Sequence, residues 1–128
     1  MSKKKTCEEL IDECWMHERE RIKEALNDEG DGLYNLGLSF SWQPPRGEAY
    51  DEGGYFQFLL SWGGPSDEIN FYEGRRIVYV YKDWFDVAER DVSSDQVAKD
   101  LRDMFEAMDA LDFDKYRDEE RFALLGGG

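Results

Sequence analysis

The sequence predicts an α+β domain in which helices cover one face of a four-stranded antiparallel meander sheet, in the order α-β-β-β-β-α-α. Three observations carry this expectation: apolar residues at helical spacing near both ends of the chain, period-two alternation between them, and short links marked by Gly and Pro. At 128 residues the chain, 1–128, is one domain by length, with 1–5 and 126–128 expected to fray.

The first helix is announced by Thr6-Cys7-Glu8-Glu9, a capping box in which the Thr6 hydroxyl accepts from the Glu9 amide and the Glu9 carboxylate returns to Thr6. Cys7, Leu10, Ile11, Cys14, Trp15, Ile22, Ala25 and Leu26 then share one side, and the helix is expected to stop near Asn27, before Gly30 and Gly32. From Leu33 the period changes to two: Leu36, Leu38, Phe40 and Trp42 alternate with polar or small residues, as on a half-buried strand. Gln43-Pro44-Pro45-Arg46-Gly47 ends that strand. The second strand, Tyr55 to Trp62, would turn Phe56, Phe58, Leu60 and Trp62 to the core; a third runs from about Glu68 to Tyr72, and a fourth from Arg75 to Lys82. After Asp83-Trp84-Phe85-Asp86 a loop is expected. Ser93 with Gln96 offers a second cap, ahead of a stripe of Val97, Leu101, Met104, Phe105, Met108 and Leu111, and Asp114 to Leu125 reads as a short third helix.

No residue set in this pattern calls for a cofactor or a metal, and none forms a catalytic constellation. His17, the sole histidine, stands three residues from Cys14, but no second Cys/His cluster completes a metal site. Cys7 and Cys14 are about 10.5 Å apart along a helix, beyond disulfide reach, and read as reduced core residues of a cytosolic protein. The run Ser61-Trp62-Gly63-Gly64-Pro65-Ser66-Asp67-Glu68 lies between two strands and lacks the lysine and following helix of a phosphate loop, so it reads as a hairpin connection. That reading leaves Asp67 and Glu68 as an exposed acidic pair at its tip. No apolar run approaches the roughly 18 residues of a membrane span.

Charge is the most informative feature. The formal net charge is −14, divided as −3, −6 and −5 among residues 1–30, 31–92 and 93–128, so the acidity is spread over the whole chain. Such a field repels nucleic acid and anionic membranes and attracts basic protein surfaces. Opposite the apolar stripe of the first helix lie Glu9, Asp12, Glu13, Glu20 and Glu24. The like-charge pairs Glu9/Glu13 and Glu20/Glu24 each cost about 0.2–0.5 kcal/mol of helix stability. Carboxylates one turn apart are separated by about 5–6 Å, comparable to phosphates along a nucleic-acid strand. Arg19, Arg21 and Lys23 interrupt the row, and a merely acidic, solvated face accounts for the same residues.

The run from Tyr55-Phe56 through SWGGPSDE, with Asp83-Trp84-Phe85-Asp86-Val87-Ala88, resembles small acidic proteins of phages, plasmids and other mobile elements. The resemblance covers about 55–88 and carries no catalytic residues. It implies an anti-CRISPR-like or anti-restriction-like inhibitor, non-enzymatic, acting in the cytoplasm of a bacterial host. In that role the carboxylates of the first helix, of Asp67/Glu68 and of Asp83/Asp86 would meet the Lys and Arg of a CRISPR effector or other defence nuclease that normally hold phosphate. Tyr72, Tyr79, Tyr81 and Trp84 would add apolar contact. Two alternatives stand beside it: an acidic adaptor that recognises a basic protein without any nuclease, and a small hydrolase using carboxylates near SWGGPSDE.

Overall fold

A computed structural model describes residues 5–27, 36–37, 39–44 and 54–115. Helix α1 is Cys7–Asn27; strands β1 Ser39–Gln43, β2 Tyr55–Ser61, β3 Pro65–Tyr72, β4 Ile77–Asp83 and β5 Asp86–Asp91 follow, and helix α2 is Gln96–Ala107. The strands form one antiparallel sheet in the order β1-β2-β3-β4-β5. The fold is therefore α+β, with one strand more than expected. Leu38 and the segment 45–53 lie outside the described residues. So do 1–4 and 126–128, and most of the expected third helix, of which 114–115 are described and helical.

The extra strand, β5, reads Asp-Val-Ala-Glu-Arg-Asp and buries only Ala88. It has no apolar alternation to announce it because it is an edge strand, and charged side chains on an edge also discourage pairing with other chains. Tyr81 pairs with Ala88 and Asp83 with Asp86, leaving Trp84 and Phe85 as a two-residue hairpin tip. Strand β3 starts at Pro65, three residues earlier than expected. Proline is tolerated at the first position of a strand, where its missing N–H breaks no interior ladder bond.

Helix α1 begins at the capping box: the Glu9 amide donates to Thr6 Oγ1 at 3.2 Å, and the Thr6 amide to Glu9 Oε1 at 3.4 Å. Its buried Cys7, Ile11, Trp15 and Ile22 face the sheet. Three polar links lay the helix along β5, running in the same direction. The Cys7 amide donates to Asp86 Oδ2 at 2.7 Å, Arg90 reaches Glu8 and Asp12 at 2.7 and 2.9 Å, and Arg19 Nε reaches Asp95 at 2.9 Å.

At α2 the cap is Asp95, not Ser93: the Asp95 carboxylate accepts from the Val97 amide at 2.8 Å, while Ser93 Oγ accepts from the Ile77 amide. An ionised cap also complements the positive end of the helix dipole. Val97, Leu101 and Phe105 are buried as the stripe requires, but Met104 and Met108 are exposed. Phe105 is the point where α2 meets the sheet. Its ring lies 4.6 Å from Phe40, 5.1 Å from Phe58 and 5.6 Å from Phe71, on three adjacent strands.

Truncating that ring should open a cavity the three strands cannot fill. Phe105→Ala is expected to lower unfolding free energy by about 3–5 kcal/mol, and the exposed Met108→Ala by no more than about 0.5 kcal/mol, in urea titrations followed by circular dichroism.

Candidate functional site

The Ser61-to-Glu68 run is a hairpin connection, as its glycines predict. β2 ends at Ser61, Trp62–Gly64 make the tip, and Gly63 adopts φ 149°, a backbone region that residues with a side chain rarely enter. Asp67 and Glu68 are not at that tip. Because β3 begins at Pro65, both lie inside the strand, 6% and 3% exposed. Asp67 faces the helices, where it accepts from Ser61 Oγ and, at 2.6 Å, from the Tyr79 hydroxyl. Glu68 points to the opposite face and pairs with Lys82 Nζ at 3.0 Å. The expected acidic contact point is thus an internal pair of hydrogen-bonded carboxylates.

Two of the tyrosines expected at the surface are corrected for a related reason. The register sets Tyr79 opposite Ile69 and Tyr81 opposite Asp67, so the odd positions of β4 face the helices. Tyr79 is fully buried with its ring 5.1 Å from Trp15, and Tyr81 is half-buried against the core. Tyr72 does face the other way, half-buried, with the Arg76 guanidinium 4.6 Å above its ring.

Around Asp67 the interior is polar and proton-rich. Burial and the bond to Asp67 both push the Tyr79 phenol far above the ordinary tyrosine range, and burial with the neighbouring Cys14 pushes Tyr81 up to about 12. Burial also raises the Cys7 and Cys14 thiols. Glu18 is buried and its carboxyl is raised by desolvation, against the opposing bond from Arg21 at 2.8 Å. The tyrosine and cysteine groups hold their protons in the fold at neutral pH. Tyr79 is bonded to Asp67 and Glu18 to Arg21, contacts within the chain that organise the interior.

The outward-facing candidates are elsewhere. Glu9, Asp12, Glu13, Glu20 and Glu24 are all exposed on α1. Asp12 leans towards Arg90, Glu9 is engaged in the cap, and Glu20 lies 3.9 Å from Arg19, while Glu13 and Glu24 make no bond among the described residues. At the N-terminal end of this row, Asp86 is exposed and receives the Cys7 amide; Asp83, half-buried, pairs with it across the hairpin. Between them Trp84 is 80% exposed with φ 57°, and Phe85 is fully exposed.

Trp62 and Phe85 were missed by sequence reasoning. Alternation carried Trp62 onto the core face, but the ladder slips between Leu59 and Ser61 and the strand ends there, leaving Trp62 77% exposed. The available signal was its place beside Gly63-Gly64. Pro65 pairs with Asp83, so both hairpin tips leave the same end of the sheet, about 10 Å apart at two strand spacings. Val87, next to the second tip, is also exposed.

At the other end of the sheet, a cleft of about 560 Å³ is lined by Glu73, Glu106, Asp109, Asp112 and Asp114 with Leu111 and Phe113. No group of three or more Asp, Glu, His or Cys is close enough to hold a metal ion among the described residues. No helix among them is long and apolar enough to cross a membrane. No protein-family model, curated protein or solved structure matches this chain.

The internal cluster makes stability sensitive to alkali. The folded Tyr79 pKa lies above its unfolded value of about 10, so the unfolded chain loses that proton first. The Tyr79 contribution is constant below pH ~10 and falls above it by about 1.4 kcal/mol per pH unit, in addition to the losses from the raised Cys7, Cys14 and Tyr81. Tyr79→Phe should remove this share of the slope, seen in denaturant midpoints between pH ~9 and ~12, while costing about 1–3 kcal/mol at neutral pH by stripping Asp67 of a donor. At the surface the sign is reversed: Trp84→Gly relieves a left-handed conformation and is expected to stabilise the fold by about 1 kcal/mol, read as a rise in melting temperature.

Proposed function

We propose that this chain is a binding protein that presents a polyanion-like row of carboxylates to a basic surface on a partner, in competition with nucleic acid. One observation carries the reading. Glu9, Glu13, Glu20 and Glu24 stand exposed along one side of α1, over about 22 Å of helix, and Glu13 and Glu24 have no bonding partner among the described residues.

A rigid helix bearing regularly spaced anions matches the way a nucleic-acid strand offers phosphates to Lys and Arg. Pre-organisation matters here, because a carboxylate already fixed in place loses less freedom when an arginine pairs with it. The self-repulsion of the row, a cost to the folded chain, is relieved when a cationic partner covers it. The resemblance to small acidic inhibitors of host defence makes a CRISPR effector or other defence nuclease the partner to test first. Asp67 and Glu68, the carboxylates on which the hydrolase alternative drew, are internal and paired. The adaptor alternative uses the same surface and differs only in the partner.

The measurement is association of the full chain with purified effector complexes, with and without their target DNA, at several salt concentrations. Binding is expected to be excluded by pre-bound DNA and to weaken as salt rises. Combined Glu13→Lys and Glu24→Lys should slow association by about tenfold or more with little change in dissociation, as for charges at the rim of an interface. Affinity indifferent to both salt and charge reversal would rule the reading out.

A further inference from the structure

The two edges of the sheet are built differently. On β5, Asp86, Glu89, Arg90 and Asp91 put charge along the edge, and α1 is tied beside it by the Cys7–Asp86 and Arg90–Asp12 bonds. The other edge, β1, is Ser39-Phe40-Ser41-Trp42-Gln43, paired to β2 in an unbroken register. It carries no charge, proline or bulge of the kind that blunts a sheet edge. Alternate residues of an antiparallel edge strand turn N–H and C=O away from their neighbour. Among the described residues no strand lies on the outer side of β1, and Ser39, Phe40 and Ser41 make no backbone hydrogen bond beyond the ladder to β2. On the side facing the helices, Phe40 and Trp42 are half-buried at the margin of the core: Phe40 stacks on Phe105 at 4.6 Å, and Trp42 meets Phe56 edge-on at 5.0 Å. On the other side, Gln43 Nε2 donates to Ser41 Oγ and to Gln57 Oε1, so that side of the strand is neutral and polar.

We propose that the outer edge of β1 is a strand-addition site for an extended segment of a protein partner, with apolar side chains beside Phe40 and Trp42 and Lys or Arg at the alternate positions. The inference goes beyond the acidic-row reading and stands on other residues, so either can fail alone. Backbone pairing supplies the affinity of such a site, and the alternation of side chains its selectivity. An added strand would meet the outward N–H and C=O groups and cover the parts of the two rings that β2 and α2 leave in solvent. Charge decides between occupants. At a net charge of −14, a second copy placed edge to edge repels this one, as does an acidic segment, whereas a basic segment is drawn in.

The test uses the full chain and a capped synthetic peptide of alternating Val and Lys, with two N-methylated forms, one blocked at the Val amides and the other at the Lys amides. Successive amides of a strand point to opposite sides, so only one of the two sets can face β1. Isothermal titration is expected to show binding of the unmethylated peptide, an affinity lower by about tenfold or more for one methylated form, and little change for the other. Amide shift changes in NMR spectra should centre on 39–43, with slowed hydrogen exchange there. Glu13→Lys/Glu24→Lys should weaken all three peptides alike and keep the contrast, because it alters only the long-range attraction. No binding of the unmethylated peptide, equal affinity of the two methylated forms, or shift changes confined to α1 overturns the strand site. Each of these leaves the acidic-row reading to its own test by salt and charge reversal on effector complexes. Self-association of the chain without peptide in sedimentation, with the same amides shifting, would make the occupant a second copy and overturn the assignment of a basic segment.

Discussion

The structure depends on where its few cations go. With 16 Lys and Arg against 30 Asp and Glu, the chain cannot neutralise its surface, and five of its cations are placed at joints. Arg90 holds the first turns of α1 to β5, Arg19 holds its middle to the cap of α2, and Arg102 donates to the Tyr72 carbonyl at 2.9 Å, fastening α2 to the β3–β4 turn. Arg21 joins buried Glu18 to the Leu36 carbonyl, and Lys82 covers buried Glu68. Each of these contacts closes a long loop or satisfies a group that burial would otherwise penalise. The consequence is a partial separation of charge: these five bases hold elements together or cover buried acids, and the exposed acids of α1 are left outside.

That separation rests on an aromatic core. Phe105 enters from α2 against β1, β2 and β3, and Trp15 enters from α1 against Tyr79 on β4, so each helix is seated on its own half of the sheet. A small domain that repels itself needs strongly favourable burial, and aromatic rings supply the most area per side chain. The polar cluster of Asp67, Tyr79, Ser61 and Cys14 sits inside the same layer, where its directed bonds make one register of β2, β3 and β4 better than its neighbours.

The surface that remains has two kinds of material in one place. Charges like those of the acidic row exert a field over a Debye length, whereas exposed rings interact only at contact. Both are anchored by the same corner, in which the Cys7 amide meets Asp86 and Arg90 meets Glu8 and Asp12, so the start of α1 and the β4–β5 hairpin hold a fixed relation to each other. The left-handed φ of Trp84 belongs to this corner as well: a bulky residue is kept where glycine would be easier, with its ring in solvent.

Local signals in the sequence were enough for α1, its capping box and its end at Asn27, for the core faces of β2 and α2, and for the glycine hairpin between β2 and β3. Those features arise from neighbours along the chain: a hydroxyl three residues from an amide, a period of 3.6 or of two, a backbone angle only glycine adopts readily. The exposed acids of α1 were legible for the same reason, since one helix face follows from spacing alone. Sequence could not show that Asp86–Asp91 is a strand, because an edge with one buried residue has no periodicity; its identity comes from pairing with β4. Nor could it place Asp67, Glu68, Tyr79 and Trp62. Whether a charged or aromatic side chain is sealed in or left in water depends on which strand lies beside it and where a ladder slips, and those are relations between distant segments that only the assembled sheet decides.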